Sequence, residues 1–333
     1  MKKMFKSKTF HIIVGILVTA VAFWLSLRKI DWSMLWQSLV RVNLIWVFLA
    51  VVVTLLTVYA LGIRWQLLLK SEGSVSLHSL FQLNIISQCA NILMPARAGD
   101  VLRVYLASKR HKFSVAHVTG TVVIEKVLDF FVFVLLWILV PSIFAASEKI
   151  KGYKIALVLA VLTLGLIFLF IWRQEMLLKW GKTFSQILPA RMRDRFVDFF
   201  DRSIKAFSPL KDRHNLMVMF ILTLVFVGGQ VLTNYLLFLA FGLRLSVWVA
   251  LFLLLALQVG NIPPSSPGKV GVFEVAVIYS LSLFAVPRSQ ALSYGLVLHA
   301  VAFLPKILLG LIYLTKMDIS LKKKYSINKN NEI

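Results

Sequence analysis

The sequence predicts an all-α fold: a polytopic integral membrane helical bundle made of two inverted repeats, each with a broken or re-entrant helix pair. Three observations carry that expectation. Apolar residues make up 59% of 333 positions, mean hydropathy is +0.83, and the apolar residues fall into blocks long enough to cross a bilayer. Lys and Arg (37, against 14 Asp and Glu) concentrate between those blocks. Finally, QCANILMPARAGD at 88–100 and QVGNIPPSSPGK at 258–269 look like copies of one helix-breaking element. Each runs from Gln through Asn-Ile to proline and then a glycine that opens a new apolar run.

The formal charge of +23 suits a basic membrane protein whose cations lie in cytoplasmic loops, and no nucleic-acid partner is expected. The single Cys89 excludes an intrachain disulfide and a cysteine-based metal cluster, and no metal is expected. The chain reads as one integral membrane domain over 1–333.

In chain order, Lys2, Lys3, Lys6 and Lys8 precede the apolar run 10–27. That run lacks a small-residue cleavage site and is expected as an uncleaved first span. Residues 44–63 form the second span. The stretch 77–94 is interrupted by Gln82, Asn84, Ser87, Gln88 and Asn91, so it should face protein rather than lipid. A short helix follows Gly99. Spans are expected at 118–144 and 155–172, then a polar connector at 173–215 whose RMRDRFVDFFDRSIKAF portion has amphipathic helical spacing suited to a membrane surface. Residues 216–243 span again, 247–261 and 270–286 flank the second break, and 291–315 closes the membrane part.

The repeat extends beyond the breaks. Gly62-Ile63-Arg64 matches Gly242-Leu243-Arg244, Ser76 and Ser246 precede Asn91 and Asn261 by equal intervals, and Gly120 matches Gly295. Repeat 1 is expected over 43–146 and repeat 2 over 216–315. If each broken element enters and leaves on one side, the basic segments 1–9, 63–117, 173–215 and 316–333 all fall inside, with both termini cytoplasmic. An odd number of spans then separates the copies, so the second is inverted, which is a transporter signature.

SSPG at 265–268 offers Ser266 as N-cap and Pro267 as first helical residue. The first copy starts its helix near Gly99 or Asp100. Two such starts, pointing from opposite leaflets toward the midplane, suit an anion such as phosphate. The candidate substrate-binding residues are Asn91, Pro95, Arg97, Gly99, Asp100, Arg103, Asn261, Pro264, Ser265, Ser266, Pro267, Gly268 and Lys269. The candidate coupling or charge-pair residues are Glu125, Lys126, Asp129, Glu274 and His299, and Lys306 also lies in the last span. Ionisable groups at membrane depth are costly and so point to function. Each also has a purely structural account: Asp100 with Arg103 as an edge ion pair, Glu125 neutralising Arg97 or Arg103, His299 as a satisfied interior histidine, and the prolines as kinks.

NILMPARAGDVLRVYL, GTVVIEKVLD, GNIPPSSPGKVGVFE and LVLHA resemble the membrane, flippase-like domain of lysylphosphatidylglycerol synthetases over about residues 10–315. The resemblance implies a lipid translocase. It places Asn91, Pro95, Arg97, Gly99, Asp100, Arg103, Glu125, Lys126, Asp129, Pro264, Ser265, Pro267, Gly268, Gly271 and Glu274 at the family's motif positions. The soluble aminoacyl-transferring domain of that family has no counterpart here, so lipid aminoacylation is not expected. The expected role is movement of an anionic phospholipid or polyprenyl-phosphate-linked lipid between leaflets of the cytoplasmic (inner) membrane, without cofactor and without enzymatic turnover. The competing classes are a non-catalytic partner subunit of a lipid or cell-envelope synthase, and an enzyme acting on a lipid phosphate. Membrane lipids are the expected partners, with a homo-oligomer or partner synthase left open.

Overall fold

A computed structural model describes residues 19–28, 30–94, 97–143, 158, 161, 162, 165, 174–186, 189–260 and 267–330. It is helical throughout these, with no strand among them. We label the helices α1 (19–27), α2 (Trp32–Val40), α3 (Leu44–Leu69), α4 (Leu77–Leu93), α5 (Ala98–His111), α6 (Val115–Ile143), α7 (Gln174–Ser185), α8 (Ala190–Lys205), α9 (Arg213–Ala240), α10 (Val247–Gly260), α11 (Val272–Ser282) and α12 (Arg288–Asn330). Among the described residues, Leu44–Leu69, Arg213–Ala240 and Arg288–Met317 are long and apolar enough to cross a membrane. α6 is longer than a bilayer requires, at 29 residues, but carries Glu125, Lys126 and Asp129. The expected span at 155–172, apart from residues 158, 161, 162 and 165, and the first half of the span at 10–27 lie outside the described residues.

The helix starts follow from sequence. Asp31, Asn43, Ser76 and Asp212 cap α2, α3, α4 and α9, each side chain accepting a first-turn N–H. α2 was not anticipated. It is nine residues long, held to α12 by Asp31 N–H donating to Ser289 Oγ (2.9 Å) and Ser293 Oγ–H donating to the Leu35 carbonyl (3.0 Å). Its outer face exposes Trp32, Met34 and Trp36, as an interfacial aromatic belt does.

α3 and α9 form the central pair and run antiparallel. Asn43 N–H donates to the Ala240 carbonyl at 3.0 Å, Thr54 Oγ1 meets Thr233 Oγ1 at 3.4 Å, and Arg64 donates to Thr223 Oγ1 at 3.0 Å. One end of the bundle is packed by Leu35, Ala50, Phe238, Val249, Val286 and Tyr294. The other is packed by Leu68, Val75, Phe113, Phe207, Leu210 and Met317. The second end gathers Lys70, Lys109, Arg110, Lys112, α7, α8 and Lys316. There Ser203 Oγ–H donates to the Ala116 carbonyl (3.0 Å) and Arg110 reaches Met317 Sδ (3.8 Å). His111 stacks on Phe113 and meets Ser79 Oγ at 3.0 Å. Burial, and secondarily Arg110, push its pKa down.

Both broken elements are antiparallel hairpins. In the first, Asn91 is opposite Asp100, Asn84 opposite Arg103, and Ser79 opposite His111, so α4 and α5 enter and leave at the basic end. At 17 and 14 residues they are about 25 and 21 Å long. In the second, α10 starts in the opposite cluster, with Asn234 Nδ2 donating to the Ala250 carbonyl (3.1 Å), and α11 returns toward Val286 in the same cluster. The hairpins thus enter from opposite ends.

Two expectations need correction. The triplets ending in Arg64 and Arg244 are not structurally equivalent. Gly62 lies inside α3, which continues six residues past Ile63 to Leu69, whereas α9 stops at Ala240 and Gly242 takes a left-handed conformation (φ 64°) that turns the chain. In addition Arg64 and Arg103, assigned by sequence to a basic cytoplasmic segment, are buried in the bundle.

Gly99 sits where α5 touches α4, and a methyl there would overlap the Ser87 carbonyl and the Asn91 side chain; Gly228 has open space around it. Gly99→Ala should therefore lower stability by about 1–3 kcal/mol, read as a fall in melting temperature in detergent, with Gly228→Ala unchanged. Equal effects would mean that the hairpin is not tightly closed. In a Cys89→Ser background, a cysteine placed at exposed Thr183 should resist an impermeant thiol reagent in intact cells, and one at exposed Ser33 should react. Reaction at Thr183 would reverse the assignment of the basic end to the cytoplasm.

Candidate functional site

The site begins at the tip of the first hairpin. Arg97 occupies the N-cap position of α5 in the left-handed region (φ 52°), without a side-chain cap. A non-glycine residue is held there at a cost of about 1–2 kcal/mol. Its side chain is exposed. Gly99 lets the first turn of α5 lie directly on α4, and Asn91 Nδ2 donates to Asp100 Oδ1 at 3.2 Å. Asp100 also pairs with Lys126 Nζ (3.3 Å), so it favours the helix start while its charge is matched. Asp100 does not pair with Arg103, contrary to the structural alternative drawn from sequence.

The second tip is built differently. Pro267–Lys269 form a single 3-10 turn, and Gly268, Lys269 and Gly271 all have positive φ (75°, 59° and 85°). The α-helix therefore starts at Val272 rather than at Pro267. Its first turn is closed by its own Glu274, whose Oε2 accepts the Gly271 N–H at 2.6 Å. Glu274 Oε1 meets His299 Nδ1 at 2.6 Å, and the His299 ring lies between Phe273 and Phe303, with centroids 4.8 and 4.4 Å away. Pro95, Asn261, Pro264, Ser265 and Ser266 lie outside the described residues.

The tips meet. α4 packs against Pro267–Lys269, and Arg97, four residues past the end of α4, acts through its charge on Lys269. Neither has a carboxylate or hydrogen-bond partner among the described residues. Two like charges in an apolar surrounding repel, and an anion between them removes that repulsion. Around the tips the apolar side chains Leu93, Met94, Val259 and Val270 are exposed, which leaves the pair open sideways rather than sealed in a core.

Behind the first tip lies a buried charge network. Arg103 pairs with Glu125 and donates to Asn84 Oδ1 (2.6 Å), and its guanidinium stacks 4.4 Å from the Trp65 ring. Trp65 Nε1–H in turn donates to Thr121 Oγ1 at 3.0 Å. Arg64 pairs with Asp129 at 2.6 Å. The i, i+4 face of α6 that carries Glu125 and Asp129 is thus a strip of matched charges, and it brings the first hairpin and α3 together. Sequence reasoning missed Arg64 because its apolar run seemed to end at Ile63. The signal was the further run Trp65–Leu69, which keeps the arginine inside the helix. Among the described residues no group of His, Cys, Asp and Glu is arranged to hold a metal.

Comparison with known proteins follows the same outline. Residues 12–310 match the family model described as the lysylphosphatidylglycerol synthase TM region. A UPF0104 membrane protein of Methanocaldococcus jannaschii is 24% identical over 96% of this chain and 98% of its own length. A second UPF0104 membrane protein of that organism is 29% identical over 69% of this chain and 95% of its own. One from Methanothermobacter thermautotrophicus is 25% identical over 76% of this chain and 77% of its own.

Arg103→Met should destabilise the protein by about 3–5 kcal/mol, because Glu125 is left charged, buried and unmatched. Arg103→Met combined with Glu125→Leu should recover most of that loss in a thermal unfolding measurement. A double variant no better than the single one would show that the pair is not the unit of stability.

Proposed function

The chain belongs to the lysylphosphatidylglycerol synthase TM-region family, and on that premise we propose that it is a translocase carrying anionic lipids between the leaflets of the cytoplasmic membrane. The observation that carries this reading is the meeting of two hairpin tips from opposite ends, which brings Arg97 and Lys269 together without a carboxylate. A phosphate head group crossing hydrocarbon alone meets a large desolvation barrier; fixed cations and the positive end of the α5 helix dipole offset it. The exposed apolar residues at the tips let the acyl or prenyl chains stay in the bilayer while the head group enters.

In this reading Asn91, Arg97, Gly99 and Asp100 of the first break and Pro267 to Lys269 of the second build the site and its walls, with Arg103 buried behind them in its pair with Glu125. Antiparallel packing of α3 and α9 and hairpins entering from opposite ends support two inverted halves, rocking about the fixed tips to give alternating access. Glu274 and His299, one hydrogen bond apart beside the site, are the pair through which a proton gradient would act. Gathering of basic residues at one end supports cytoplasmic termini.

In liposomes the purified protein should speed leaflet exchange of a labelled anionic lipid well above that of a zwitterionic one. Arg97→Ala should slow exchange at least tenfold, and Arg97→Lys should recover part of it if the residue acts by charge alone. Exchange no faster than in protein-free liposomes, across several anionic lipids and with a proton gradient in either direction, would overturn the reading.

A further inference from the structure

A third cation lies on a third element that packs against both hairpins. Lys306 lies on α12, half-buried. Its place on the helix is fixed by its neighbours at i−7, i−3 and i+4, which share one face. His299 bonds Glu274 and Phe303 packs on Phe273, both in α11. On the other side Gly310 abuts Cys89 of α4, and the adjacent Ile307 carbonyl accepts from Cys89 Sγ at 3.8 Å. Lys306 therefore stands between the start of α11 and the end of α4, on the face that looks toward both hairpin tips.

Charge matching in this layer is complete on the acidic side and incomplete on the basic side. Asp100 is taken by Lys126 and Asn91, Glu125 by Arg103, Asp129 by Arg64, and Glu274 by His299 and the Gly271 N–H. Arg97, Lys269 and Lys306 have no carboxylate partner among the described residues, and each comes from a different element. A lipid phosphodiester brings one negative charge. A terminal phosphate brings about −1.5 to −2 at pH 7 and three acceptor oxygens on one phosphorus, which is one oxygen for each cation.

We infer that this site selects lipids ending in a phosphomonoester over phosphodiester lipids, with Lys306 as the third phosphate ligand beside Arg97 and Lys269. The inference deepens the anionic-lipid reading and rests on it for the place of the site, but it is tested by binding rather than by transport. Phosphatidic acid and a polyprenyl monophosphate share this head-group chemistry. They differ in the tail, which the lateral apolar opening at the tips receives.

The test is thermal stabilisation of the purified full chain in detergent, titrated separately with dioctanoyl phosphatidic acid, farnesyl phosphate, dioctanoyl phosphatidylglycerol and dioctanoyl phosphatidylcholine. At least one of the two phosphomonoesters should stabilise with an apparent Kd at least tenfold tighter than phosphatidylglycerol, and which of them binds more tightly identifies the tail. Lys306→Met and Lys306→Gln should fold with an unliganded melting temperature no lower than the parent, since each removes an unmatched cation. They should weaken phosphomonoester binding at least tenfold while changing phosphatidylglycerol binding less than twofold, and Lys306→Arg should retain the preference. Equal affinity for phosphatidylglycerol and the phosphomonoesters, equal loss for both in the Lys306 variants, or no stabilisation by any phosphomonoester would overturn the inference. Tight phosphomonoester binding without leaflet exchange in liposomes would uphold it and overturn the translocase reading instead.

Discussion

A charge inside a lipid-embedded bundle must find its counter-charge in the protein or in a ligand, because hydrocarbon supplies neither ions nor water. This chain meets that constraint with two layers of different character. Behind the first hairpin, Arg103 with Glu125 and Arg64 with Asp129 are matched, buried and linked through Asn84, Trp65 and Thr223. That layer holds α3, α5, α6 and α9 in one arrangement. In the layer of the hairpin tips the matching stops short, and three cations remain from three separate elements. The contrast separates a self-matched layer from one in which, among the described residues, cations outnumber their carboxylate partners.

The tips reach that layer because small residues allow helices to touch. Gly99 brings the start of α5 onto Ser87 and Asn91 of α4, and Gly310 brings α12 onto Cys89 of the same helix. α4 is thereby clasped on two sides along its inner half, and its end is delivered against Pro267–Lys269. A larger residue at either glycine moves the tip as well as the helix, so packing and site geometry are one property here.

The two breaks are alike in sequence but unlike in chemistry. The first ends in a helix whose N-cap residue, Arg97, makes no side-chain cap and is itself a cation, while its opening turn lies against α4. The second closes its opening turn with its own carboxylate, and that carboxylate is tied to His299. One tip thus opens on an uncapped cationic residue, and the other is closed by a carboxylate bonded to a histidine.

Much of this was legible in the sequence, and the reason is periodicity and punctuation. Apolar blocks at 44–63, 118–144, 216–243 and 291–315 declare helices because hydrocarbon tolerates no other lipid-exposed backbone, and proline with glycine at 95–99 and 263–268 declares breaks for the same reason. The basic segments foretold which helix ends lie together. What the sequence by itself could not decide was pairing. Whether Asp100 takes Arg103 or Lys126, whether Glu125 faces Arg97 or Arg103, and whether Arg64 ends a span or sits within one all depend on which helices are neighbours. Apolar helices look alike in one dimension, so their partners are chosen only when side chains interlock. Lys306 is the clearest case. In sequence it is one lysine near the end of a span, and only the tertiary structure brings α4 and α11 to the face of α12 that carries it.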